Sequence, residues 1–129
     1  MQTRSGPRVK LLLTIVSEID KQAEQNIRFA SGNVFEVNVF DISIVGAGIF
    51  TKNFLPKGCI INMKIDGAPF GLKKEMEIKG EVRYCKYIKL HQYKCGIKFL
   101  DLAEEHQETI KKFISAYERR KDTRLRLPE

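Results

Sequence analysis

Alternation of apolar and polar positions governs the chain up to Leu100, and a helical period replaces it afterwards. The first run, Val9-Lys10-Leu11-Leu12-Leu13-Thr14-Ile15-Val16, is apolar and β-branched and reads as a strand. Lys21 to Asn33 has no clean period and closes on Ser31-Gly32-Asn33, which is turn material. From Asn33 to Val45, Val34, Val37 and Val39 mix with Glu36, Asn38 and Asp41, as in a half-buried strand. Gly46 and Gly48 interrupt that pattern before Ile49-Phe50-Thr51 resumes it.

Pro56-Lys57-Gly58 is a turn, and Cys59 to Ile65 is the next strand. Asp66-Gly67 and the stretch from Pro69 to Gly71 again read as turns. Glu75 to Cys85 alternates apolar with charged residues, and Tyr93 to Phe99 returns, so a long antiparallel hairpin is expected. Ile110, Phe113, Ile114 and Tyr117 then form one apolar helical stripe. Asp101 is the expected N-cap, with Glu104 in capping-box position. Lys111, Lys112, Arg119 and Arg120 fall on the remaining face and the last turns.

The pattern therefore predicts an all-β dominated fold, several antiparallel strands followed by one helix. Closing such a sheet into a barrel removes its edges. The expected organisation is an arm over residues 1–7, a barrel with its helix over 8–120 and a loose polar tail over 121–129. A length of 129 residues suits one domain. With 43% hydrophobic and 30% charged residues, the chain supports a core and argues against wholesale disorder.

A net charge of +7 favours an anionic partner, although basic domains also arise for solubility alone. Cys59, Cys85 and Cys95 are odd in number and lack CxxC spacing. Buried thiols are expected, with neither a disulfide framework nor a metal site. The N-terminus is polar, and Leu11-Leu12-Leu13 is too short for a signal core or a membrane helix. The expectation is a cytoplasmic protein without a membrane partner.

Catalysis finds little support. His91 and His106 lie in a polar connection and on a helix surface, without an evident nucleophile beside them. Nucleophile-elbow, zincin, Walker and dinucleotide signatures are absent from the sequence. A non-enzymatic protein without a cofactor is expected.

Two short patterns carry more. Arg4-Ser5-Gly6-Pro7-Arg8 is an RxxxR at the junction of arm and first strand. Guanidinium forks match phosphate oxygens and the Hoogsteen edge of guanine, and their faces stack on purines. Alone, the pair reads equally as two solvated arginines. Asp41-Ile42-Ser43-Ile44-Val45-Gly46 is a DxSxxG. Two residues apart on an extended chain, Asp41 and Ser43 are expected on one face, a carboxylate beside a hydroxyl. Gly46 permits a sharp turn or the close approach of a ligand. Alone, this pattern also fits a strand end with an ordinary turn.

In this order, the two patterns resemble the PilZ domain family. Asp41 to Ile49, Gly80-Glu81-Val82-Arg83 and Gly96 to Leu102 look like further stretches of that family. The resemblance covers roughly residues 4–120. It implies a six-stranded antiparallel β-barrel with a C-terminal α-helix, and a bacterial receptor for cyclic di-GMP. Arg4 and Arg8 would grip phosphate and guanine, while Asp41, Ser43 and Gly46 would line the guanine site. Arg28 offers a second registration of the arginines, but the first position would then be Glu24, which repels phosphate.

The expected mechanism is closure of the arm over the nucleotide, which alters a contact with a protein partner not identified by the sequence. A PilZ-like adaptor that binds no nucleotide is the alternative. Tyr84, Tyr87 and Tyr93 near Lys86, Lys89 and Lys94 also suggest single-stranded nucleic acid. Strand packing is the more ordinary account of those tyrosines, so nucleic acid is not the expected partner.

Overall fold

The computed structural model describes residues 9–20, 34–68 and 75–126, with side chains over 13–20, 34–68 and 75–116. Six strands precede one helix: β1 (Val9–Ile19), β2 (Val34–Ile42), β3 (Gly46–Thr51), β4 (Ile60–Ile65), β5 (Met76–Lys89), β6 (Gln92–Leu100) and α1 (Glu104–Arg126). They form a closed barrel in the order β1-β2-β3-β6-β5-β4, with every pairing antiparallel. The expected architecture is the observed one.

Alternation explains the closure. In β2, Phe35, Val37 and Val39 are buried while Val34, Glu36 and Asn38 are exposed. In β4, Ile61, Met63 and Ile65 point inward, and in β5 Met76, Ile78 and Val82 do so. These side chains meet inside the barrel with Ile49, Cys95 and Ile97. Ile110 and Ile114 of α1 join the same cluster, so the helix is held by two apolar anchors. Burying each contributes roughly 1.5–3 kcal/mol.

The elements depart from the pattern in five places. β1 continues to Ile19 and β5 to Lys89, beyond the expected ends at Val16 and Cys85. The chain breaks at 43–45, and Gly46 and Gly48 lie inside β3 instead of interrupting a strand. A Cβ on Gly46 would stand 2.1 Å from the Ile97 carbonyl oxygen, so the glycine serves close approach of β6.

At the helix start, Asp101 does not cap. It takes a left-handed φ of 48°, and α1 begins at Glu104. Around the first turn, Gln107 N–H donates to the Ala103 carbonyl at 2.9 Å and its Nε2 to the Leu102 carbonyl at 3.1 Å, and Glu104 and Glu105 complement the positive end of the helix. The helix also runs to Arg126, through part of the segment expected as a tail. No glycine or proline occurs between Glu104 and Pro128, and the residue preceding a proline disfavours helix.

Among the described residues, no helix is long and apolar enough to cross a membrane.

Candidate functional site

The residues of DxSxxG occupy the β2–β3 corner, and each has a distinct job. Asp41 is half-buried near the end of β2, and its Oδ1 accepts the Gly48 backbone N–H at 2.8 Å. That bond crosses the ladder, since Asp41 and Gly48 are register partners. A register shift between Val39 and Asp41 makes room for Phe40.

Ser43 departs from the same-face reading. It lies beyond the end of β2 and is fully buried. Its N–H donates to the Gly46 carbonyl at 2.9 Å, and its Oγ accepts Val45 N–H at 3.2 Å. Its hydroxyl also donates to the Gly46 carbonyl at 3.4 Å. The serine thus ties the corner on which Asp41 is mounted. The Val45 carbonyl accepts the Phe99 N–H, which fastens the same corner to β6. Arg4 and Arg8 lie outside the described residues, as do Arg28 and Glu24, so the geometry bears on neither registration.

Around Asp41 the register builds a face that no single motif reveals. One row crosses four strands: Asp41 opposite Gly48, Gly48 opposite Gly96, and Gly96 opposite Tyr84. The next row runs Asn38, Phe50, Lys94, Lys86. On the other side of the first row, Gly46 pairs with Lys98 and Lys98 with Glu81. Two glycines therefore leave a strip without side chains of its own, flanked by rings and amines.

The rings lean into that strip. Phe40 covers Gly48, where a Cβ would come within 2.4 Å of the ring, and Tyr84 covers Gly96 at 2.2 Å. Phe40 packs on Phe50 with centroids 4.7 Å apart, and Lys94 Nζ stands 5.3 Å over the Phe40 ring. Tyr84, Lys86 and Lys94 line a shallow pocket of about 200 Å³. This face combines planar apolar surface, two lysines and one oriented carboxylate. Such a set suits stacked, anionic, hydrogen-bonding ligands.

A larger cleft, about 550 Å³, lies elsewhere, at the start of α1. Its lining includes Glu18, Asp20, Glu77 and Asp101, the wrong sign for an anion, and Lys79 there is bound to Asp20 at 3.1 Å.

Sequence reasoning missed Phe40, Phe50 and the Gly48–Gly96 pair as parts of one surface. Strand alternation could have placed Phe50 and Lys94 outward, but the register that sets them side by side is tertiary. The thiols lie on the other side of the sheet. Cys59 and Cys95 are buried and Cys85 is half-buried. Burial pushes Cys59 up to about 11. Burial, and then a hydrogen bond with Cys85, raise Cys95. Among the described residues, no three side chains are grouped to hold a metal.

The start of β1 lies at this corner, because Val9 pairs with Ile42 and Lys10 with Asp41. The PilZ domain model matches residues 2–116. The chain belongs to the PilZ domain family.

Solved structures share the fold. MrkH from K. pneumonia, in complex with c-di-GMP, superposes with a TM-score of 0.69 at 18% identity, covering 96% of this chain and 56% of that one. YcgR from Escherichia coli with c-di-GMP gives 0.67 at 13% identity, covering 96% of this chain and 50% of that one. The PilZ domain of YcgR with c-di-GMP gives 0.64 at 13% identity, covering 96% and 98%. The chain thus spans about half the length of the first two proteins and nearly all of the isolated PilZ domain. No curated protein matches the sequence.

Proposed function

We propose that this PilZ domain is a bacterial, cytoplasmic, non-catalytic receptor for cyclic di-GMP. Asp41 accepts from the N1–H and amino group of a guanine, and Arg4 and Arg8 close over the phosphates from the N-terminal arm. Ser43 and Gly46 complete the site by fixing the corner that carries Asp41. The observation that carries this reading is the register of β1 on β2. Val9, the residue after Arg8, pairs with Ile42 next to Asp41, which supports bringing the two motifs to one end of one face. The family match and the solved c-di-GMP complexes of MrkH and YcgR support the ligand.

Guanidinium–phosphate bonds contribute roughly 1.5–3 kcal/mol each, against an ordering cost for the arm on the order of 2–5 kcal/mol. Two arginines therefore suffice to close the arm when aided by stacking. Closure changes the surface around the β2–β3 corner, and a protein partner reads the change.

Calorimetric titration with cyclic di-GMP tests the reading, with Arg8→Ala in parallel. Micromolar or tighter binding, weakened roughly tenfold or more by the substitution, is the expected result. Binding that survives it moves the arginine role to Arg28. Absence of binding leaves the adaptor that works without nucleotide.

A further inference from the structure

We propose that the tip of the β5–β6 hairpin is a peripheral anchor for an anionic lipid bilayer. The ladder between β4 and β5 ends at Ile60 opposite Glu81, with a last bond from Gly58 N–H to the Val82 carbonyl. The ladder between β3 and β6 ends at Thr51 opposite Tyr93. β5 therefore leaves β4 beyond Val82, and from Ile88 to Gln92 the two strands continue as a ribbon beyond both ladders. Its turn is Leu90-His91, with His91 held at a left-handed φ of 61°. Asparagine or glycine is the usual choice at such a position.

This ribbon carries apolar side chains into solvent. Leu90 is 75% exposed, Tyr87 64% and Ile88 47%, and the neighbouring Phe54 is 52% exposed. The aromatic base is braced: Tyr93 meets Phe54 at 5.8 Å and Tyr87 at 5.7 Å, both edge to face. Lys52, Lys86, Lys89 and Lys94 accompany this surface. No acidic residue occurs between Glu81 and Asp101, nor between Asp41 and Asp66. Apolar residues at a tip, tyrosines behind them and lysines around them match the acyl boundary, the headgroup layer and the anionic surface of a bilayer.

Two rival partners fit less well. Lysine is depleted and arginine enriched at protein interfaces, whereas the cations accompanying this tip are lysines. Single-stranded nucleic acid needs open ring faces, and Ile88 and Leu90 have none. Hydropathy along the sequence predicts no membrane partner because the anchor is too short for it to register. The inference does not rest on nucleotide binding: Ile88, Lys89 and Leu90 belong to neither row of the Asp41 face, although Lys89 and Leu90 line a cleft with Glu36, Asn38 and Phe50 at its edge.

The chain lacks tryptophan, so Leu90→Trp makes the tip report on its own surroundings. The full chain is mixed with phosphatidylcholine vesicles, with or without about a third phosphatidylglycerol, at about 0.15 M salt. A blue-shifted emission and co-sedimentation are expected with anionic vesicles, roughly tenfold weaker with neutral ones. Ile88→Ser with Lys89→Glu and Leu90→Ser should abolish the binding while circular dichroism and cyclic di-GMP titration stay as in the parent. Unshifted Leu90→Trp emission, or vesicle binding indifferent to the triple substitution, overturns the proposal. Tight oligonucleotide binding without vesicle binding gives the tip to nucleic acid and overturns it equally.

Discussion

Asp41 is held across the β2–β3 ladder by the Gly48 N–H, 2.8 Å from its Oδ1. Its orientation is therefore set by backbone, not by a mobile side chain. Asp41→Ala removes both this anchor and the proposed guanine acceptor. It should cost about 1 kcal/mol of stability in urea denaturation and weaken cyclic di-GMP at least roughly tenfold. Asp41→Asn keeps an oxygen for Gly48 and should recover the stability but only part of the affinity.

Gly46→Ala should damage the fold before it damages the site. The added Cβ would meet the Ile97 carbonyl, and backbone cannot swing aside as a side chain does. A loss of roughly 3 kcal/mol is expected in chemical denaturation. Gly48→Ala meets the Phe40 ring instead. That ring can move, so its stability loss should be smaller while ligand affinity falls.

Ile110 is fully buried in the barrel cluster and anchors α1. Ile110→Ala should destabilise by roughly 2–5 kcal/mol, measured by thermal or urea unfolding.

The buried thiols set an alkaline limit. Cys59 has its pKa raised from 9.0 to about 11 by burial. Between those values the unfolded chain loses a proton that the folded chain keeps, so folding stability should fall as pH rises through this window. Below it the contribution is fully present. Denaturation midpoints from pH 8 to 11 check the slope, and Cys59→Ala should make it shallower, the remainder coming from buried Cys95. Under native conditions a thiol reagent should reach half-buried Cys85 before Cys59 or Cys95.

The sequence carried the fold through alternation, since Phe35, Val37 and Val39 announce an inner face without any contact being known. DxSxxG pointed to the β2–β3 corner, while RxxxR lies outside the described residues. It misled at Ser43, because strand alternation was extended one residue past the place where the chain turns under β6. It also misled at Asp101, where a good capping residue lies in a left-handed kink and the helix starts three residues later. Phe40 was invisible as a site neighbour because a bulge re-aims it.

A closed barrel has a consequence for whatever settles on the Asp41 face. Over this face β2, β3 and β6 each have a strand neighbour on both sides. A docking segment cannot add a strand beside β2, β3 or β6, so over those strands it must hold on with side-chain charge and ring contact alone. Such a grip loosens as salt is added, whereas a ladder of main-chain bonds would scarcely notice. The domain would thus carry a built-in sensitivity to the ionic strength around it.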